Sequence, residues 1–236
     1  MSAQEFLDLY KQMEALLDEK YGESAGRRGS AVVRFINEPA GREYREELDL
    51  CREVRNLLTH NPDMDGCPVV EPAPALLRTL REAIRRLKAP QSALHYATPV
   101  EKLMIASPEQ NVLPVMQAME KRGFSHIPIV AVNQMLGVFS VSTVFSAQLT
   151  YPDRILDITQ ARISDFKEWT PIEKHTCERF MFMGPQHSYW EAQEAFEKSS
   201  RPSEKRLAAI FITKTGDARG RLLGMLTPWD VIGQED

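Results

Sequence analysis

The sequence predicts an α+β protein: a four-helix unit over 1–90, followed by two β-α-β-β-α units over 98–151 and 160–236. Three observations predict it. The segment Leu136-Gly137-Val138-Phe139-Ser140-Val141-Ser142-Thr143-Val144-Phe145 returns 87 residues later as Leu223-Gly224-Met225-Leu226-Thr227-Pro228-Trp229-Asp230-Val231-Ile232. Such internal repetition fixes an architecture before any single element does. Upstream residues match as well: Pro108-Glu109-Gln110-Asn111-Val112 answers to Pro185-Gln186-His187-Ser188-Tyr189, and Met116–Lys121 to Gln193–Lys198. The first 90 residues instead carry apolar side chains at helical spacing.

In the N-terminal unit, Phe6, Leu9, Tyr10, Met13, Leu16 and Leu17 mark a first helix, with Ser2 and Glu5 placed as a capping box. Gly22–Ser30 breaks the chain. Val32, Val33, Phe35 and Ile36 form a short second helix, ended by Pro39 and Gly41. A third runs from about Glu43 to Thr59 on Leu48, Cys51, Val54 and Leu58, and Asn61-Pro62 stops it. After a proline-bearing loop, a fourth spans Ala75–Lys88 on Leu76, Leu77, Leu80, Ile84 and Leu87; Ala89-Pro90-Gln91-Ser92 is its exit linker. Each repeat then places a β-rich strand after its helix, Ser125–Val130 in the first and Leu207–Ile212 in the second. The second repeat carries about ten extra polar residues around Ser199–Arg206, which read as a loop. Roughly 60 residues is small for a self-sufficient core, so the two repeats should pack on one another.

The repeated segment reads as a strand ending at a helix N-terminus, where Ser140 or Thr227 caps exposed N–H groups. A terminus of this kind attracts phosphate. The two halves resemble a tandem pair of cystathionine-β-synthase (CBS) domains over about 98–236. Gly224-Met225-Leu226-Thr227-Pro228-Trp229-Asp230 is similar to that family's Gly-apolar-apolar-Thr/Ser-x-x-Asp signature for adenosine nucleotides. A carboxylate suits the task, because it accepts charge-assisted hydrogen bonds from both vicinal ribose hydroxyls. The first repeat has Thr143 where the acid belongs. The resemblance therefore implies one competent cleft, made of Thr227 and Asp230 with Thr98, Leu103, Met104, Ser125 and His126 borrowed from the other repeat. His126 would lie near the phosphates and the apolar residues against the purine. The related cleft, Ser140 and Thr143, would borrow Thr176 and Leu207. Thr227 and Asp230 also make an ordinary helix cap with a first-turn acid; both readings hold at once.

Within the third helix, Arg55-Asn56-Leu57-Leu58-Thr59-His60 is similar to the Arg-x4-6-His motif of HEPN domains, many of which are metal-independent ribonucleases. The resemblance implies Arg55 and His60 as a catalytic pair that activates a ribose 2′-hydroxyl and stabilises charge on the adjacent phosphate. Five residues is about 500° of helix at ~100° each, so the two side chains start on different faces. They converge when the helix ends at His60, or across a two-fold dimer. Read from the residues alone, Arg55 pairs with the acids of Glu43–Asp49 or with a neighbouring chain, and His60 is favoured by the helix dipole. Arg78, Arg81, Arg85, Arg86 and Lys88 would guide RNA under the first reading and form a solvated face under the second. Residues 1–90 hold 14 Lys and Arg against 16 acids, so no basic field surrounds them.

Charged residues make up 26% of the chain, the net charge is −4, and no apolar run approaches the ~18 residues that span a bilayer. Met1-Ser2-Ala3-Gln4-Glu5 lacks the features of a signal peptide, so the cytoplasm is the expected compartment. Cys51, Cys67 and Cys177 show no metal spacing and are odd in number; they read as buried small hydrophobes. His95, His175 and His187 stand isolated, and neither a metal nor a cofactor is expected. Two functions follow. One is a regulatory protein whose CBS pair binds an adenine nucleotide and controls the helical domain. The other is a nucleotide-gated ribonuclease using Arg55 and His60. The expected partners are an adenine nucleotide, a second copy in a homodimer and, under the second reading, RNA; no membrane is expected.

Overall fold

The computed structural model describes residues 3–21, 31–60, 63–64, 66–153, 157–199 and 205–232. Ser2, Gly22–Ser30, Asn61-Pro62 and the middle of Ser199–Arg206 lie outside the described residues. The chain divides into two compact units, Met1–Gln91 and Ser92–Asp236.

The first unit is helical. Helix α1 (Ala3–Tyr21) buries Phe6, Tyr10, Met13 and Leu17, one stripe at intervals of three and four. Helix α2 (Ala31–Phe35) follows. Pro39, expected to end it, instead opens a further single-turn helix, α3 (Pro39–Arg42), because a missing N–H costs nothing at the first helical position. Helix α4 (Arg45–His60) buries Leu48, Cys51, Val54 and Leu58. The proline-bearing loop contains a two-residue hairpin, β1 (Asp63–Met64) against β2 (Cys67–Pro68). Helix α5 (Pro74–Lys88) starts on its proline and buries Leu76, Leu77, Leu80, Ala83 and Ile84 against α1 and α4.

The second unit runs α6 (Ala93–Tyr96), β3 (Thr98–Pro99), α7 (Val112–Arg122), β4 (His126–Ala131), β5 (Gln134–Ser140), α8 (Val141–Thr150), β6 (Glu178–Met183), α9 (Tyr189–Lys198), β7 (Arg206–Thr213), β8 (Leu222–Leu226) and α10 (Pro228–Ile232). Its larger sheet has the order β3-β8-β7-β6, with β6 parallel to β7 and the other pairs antiparallel. Strands β4 and β5 form the smaller one. The first repeat's lead strand shrinks to a single parallel bridge from Ala106 to Ile129, where the second repeat has all of β6.

The repeats exchange their lead segments. Thr98 and Pro99, ahead of the first repeat, pair with Met225 and Gly224 of the second. Thr170, ahead of the second, accepts a 2.8 Å hydrogen bond from Val138 of the first. The match continues in detail: Ala93 N donates to His187 O at 2.8 Å, and Ile163 N donates to Gln110 O at 3.0 Å. Two glycines make room for the crossing backbones. A Cβ on Gly137 would lie 2.2 Å from Thr170 O, and one on Gly224 would lie 2.9 Å from Thr98 O. Between the sheets, Met135 and Val138 of β5 pack with Phe180, Ala209, Phe211 and Leu222 of the second repeat. Neither repeat could bury that layer alone, which is the physical reason for the pair.

Candidate functional site

Two equivalent strand-to-helix turns carry the polar chemistry of the second unit. In the first, Ser140 N donates to Thr143 Oγ1 at 3.0 Å and the two hydroxyls lie 3.2 Å apart, so the group that closes the cap is neutral. In the second, Thr227 N and Thr227 Oγ1 both donate to Asp230 Oδ2, at 2.6 and 2.7 Å. Asp230 Oδ1 has no hydrogen-bond partner among the described residues, and the side chain is half-buried. The second turn thus holds a fixed carboxylate with one oxygen spent on the cap and one available.

Of the residues grouped with Asp230 on sequence, Thr98 lies on the strand beside it, opposite Met225. Leu103, like Met225, packs against the layer between the sheets. Met104 instead packs against the first repeat's own core, with Ala106, Ile127 and Ile129. Ser125 and His126 belong to the other turn. His126 pairs in register with Ser140, and Ser125 Oγ bonds to His126 Nδ1 at 2.8 Å. The strand position equivalent to His126 in the second repeat is Ala209, because Ile210 pairs with Leu226 just before Thr227. The histidine and the helical acid therefore sit at different turns.

At the Ser140 turn the structure supplies a group that sequence reading passed over, Glu178 at the start of β6. Its carboxylate takes His126 Nε2 at 2.7 Å on one oxygen. The other takes Ser140 Oγ at 2.8 Å, Ser142 Oγ at 2.8 Å and His175 Nδ1 at 3.1 Å. Glu178 is 15% exposed and the His175 side chain 1%. Burial opposes ionisation of Glu178, but the hydrogen bonds from His126 and His175, the nearby charge of His126 and the Ser140 hydroxyl outweigh it. The carboxyl is held well below the usual carboxylate range. Thr176 is exposed beside this network, while Leu207 is buried in the second repeat's core with Met183 and Phe196. His175, isolated from the other histidines in sequence, stands three residues ahead of Glu178 and bonds to it across the bend at Thr176 and Cys177.

In the helical unit, Arg55 is half-buried and paired with Glu14 of α1 at 3.3 Å, with its guanidinium 5.6 Å from the Tyr10 ring centre. His60 is the exposed last residue of α4. The basic run of α5 is largely neutralised: Arg81 pairs with Glu5, Arg85 with Glu82, and Arg86 with Glu43 and Glu82. Cys51 is buried, and burial pushes its thiol up to about 12. Cys67 and Cys177, expected inside, are exposed because one sits in the hairpin and the other ahead of β6.

The two turns are related by an internal repeat and joined through exchanged lead segments. The CBS domain family model matches residues 93–150. Among solved structures, the AMP complex of CBSX2, a protein of Arabidopsis thaliana, is similar over 61% of this chain and 94% of its own, with 16% identity and a TM-score of 0.43. Hypoxic Response Protein I with two coordinated zinc ions is similar over 62% of this chain and 100% of its own, at 12% identity and TM-score 0.43. CbpB from Streptococcus agalactiae is similar over 59% of this chain and 76% of its own, at 17% identity and TM-score 0.42. No curated protein matches the chain.

Proposed function

We propose that the second unit is a regulatory module that binds one adenine nucleotide at the Thr227–Asp230 turn and thereby controls the helical unit. The observation that carries this reading is the half-used carboxylate of Asp230. Its Oδ2 is locked by Thr227, which fixes the group in place, and its Oδ1 is left to accept from a ribose hydroxyl. Thr98 is positioned on the neighbouring strand and Leu103 on the adjoining apolar layer. The second repeat offers Ala209 where the first has His126, so the phosphate must be held by groups other than that histidine.

Asp230→Ala removes the acceptor without opening the core. Losing hydrogen bonds to a charged group costs about 1.5–3 kcal/mol, or about 10- to 150-fold in AMP affinity by calorimetry. Unchanged affinity in a folded variant would remove the assignment. Thr143→Ala should leave AMP affinity where it was.

Two further parts of the reading are proposals of the same standing. The chain assembles as a homodimer, supported by the uncharged exposed face of α8. The ribonuclease alternative keeps one supporting observation: α4 ends at His60, the condition under which a HEPN-like pair can converge. It requires Arg55 to leave Glu14. Under it, the protein cleaves single-stranded RNA in EDTA with a cyclic phosphate product, and His60→Ala is inactive. Intact RNA with and without AMP ends that alternative.

A further inference from the structure

The first turn presents donors from two repeats, His126, Ser140 and Ser142 from one and His175 from the other, all directed at a single point. That point is filled by Glu178. Both of its oxygens are engaged, and the donors that could hold a phosphate are spent on them. The equivalent turn differs. The first repeat has no counterpart of Glu178: Thr98-Pro99-Val100-Glu101-Lys102 answers to Thr170-Pro171-Ile172-Glu173-Lys174, and Ala106 meets Ile129 as Met183 meets Ile212, so His175–Arg179 is extra to the second lead segment. Glu101 is exposed in a single 3-10 turn and makes no hydrogen bond among the described residues. One lead segment therefore sends an anion into its partner's turn and the other does not.

We infer that Glu178 restricts this chain to one nucleotide site by occupying the first turn with an anion of the protein's own. The inference rests on the proposal that an adenine nucleotide binds at Asp230, and it adds what decides the stoichiometry. A nucleotide phosphate entering the first turn would compete with a charged carboxylate for the same donors, and the two anions would repel. Thr143 supplies no replacement acid, so a ligand admitted there would be held through its phosphate rather than its ribose. Removing the Glu178 carboxylate leaves two imidazoles and two hydroxyls facing one another without the anion that joins them.

The test is calorimetry on the full chain with AMP, adenosine and inorganic phosphate. Wild type should take one AMP, and Glu178→Ala should take two. Asp230→Ala should take none, and the Glu178→Ala/Asp230→Ala double variant should keep the gained site. That site should prefer AMP to adenosine by at least about tenfold, because it reads phosphate. Adding His126→Ala to the double variant should abolish it. Glu178→Gln keeps the side-chain shape and removes the charge, and it should gain the site more weakly if the alanine variant loses its near-ultraviolet dichroism. A single AMP in folded Glu178→Ala and Glu178→Gln alike overturns the inference while leaving the Asp230 reading intact. AMP bound by the double variant but not by wild type overturns the Asp230 reading and supports the plug.

Discussion

A helix cap can be closed by a hydroxyl or by a carboxylate, and the choice decides what else the turn can do. Thr143 closes the Ser140 turn with one neutral oxygen, and nothing charged remains. Asp230 closes the Thr227 turn with one oxygen and retains a second. The first turn recovers a charge only by importing Glu178 from across the pair. That import has a pH signature. Hydrogen bonds to the ionised form depress the carboxyl from its ordinary 4.5. Its stabilisation is therefore fully present above that value and is lost as pH falls below it toward the depressed folded value. Glu178→Gln should flatten the acid side of the stability profile of the second unit and leave its slope above neutrality unchanged. Glu38 and Glu82 are depressed too, but in the helical unit. All three tryptophans, Trp169, Trp190 and Trp229, lie in the second unit, so their fluorescence in urea separates the two. Identical acid profiles for wild type and Glu178→Gln would show that the network contributes no ion-dependent stability.

Among the elements, α8 is the one whose exposed face needs explaining. Val141, Phe145 and Leu149, four residues apart, are 67%, 61% and 64% exposed, and the helix has no charged residue. A lipid surface is a poor occupant, because interfacial helices carry Lys and Arg along the polar face. A second copy fits better: an uncharged stripe packs on its own symmetry mate without repulsion, and two-fold contacts close. Phe145→Glu places like charges at that contact and should convert a dimer to a monomer in light scattering. A wild-type monomer at micromolar concentration ends the dimer reading. Helices such as α1, α4 and α5 were legible because their apolar spacing is local, and the pairing of β4 with β5 and of β7 with β8 follows from the repeat itself. The exchange of lead segments was not, since a strand's partner is set by register across the pair rather than by its own residues. His126 was grouped with Asp230 by motif position, and the strand register places it opposite Ser140. Glu178 carried no signal at all, standing as one acid ahead of a strand.

For the molecule as a whole, the question is whether binding in Ser92–Asp236 is felt in Met1–Gln91. No helix among the described residues is long and apolar enough to cross a membrane. A ligand at 100 times its Kd stabilises the unit it binds by about 2.7 kcal/mol. It can shift a second unit only through a difference in affinity between that unit's states. Hydrogen exchange on the full chain reads both at once. AMP should slow exchange in β8 and α10, around Thr227 and Asp230, and in β3 opposite them. Under the regulatory reading it should also change exchange in α1, α4 or α5, and Asp230→Ala should abolish both effects together. Protection confined to β3, β8 and α10, with the helical unit unmoved at saturating AMP, would leave a nucleotide-binding module and remove its proposed control of the helices. Coupling is reciprocal, so a helical-unit substitution that shifts the equilibrium there, such as Glu14→Ala releasing Arg55, should then alter AMP affinity by at most the factor by which AMP alters the helical equilibrium.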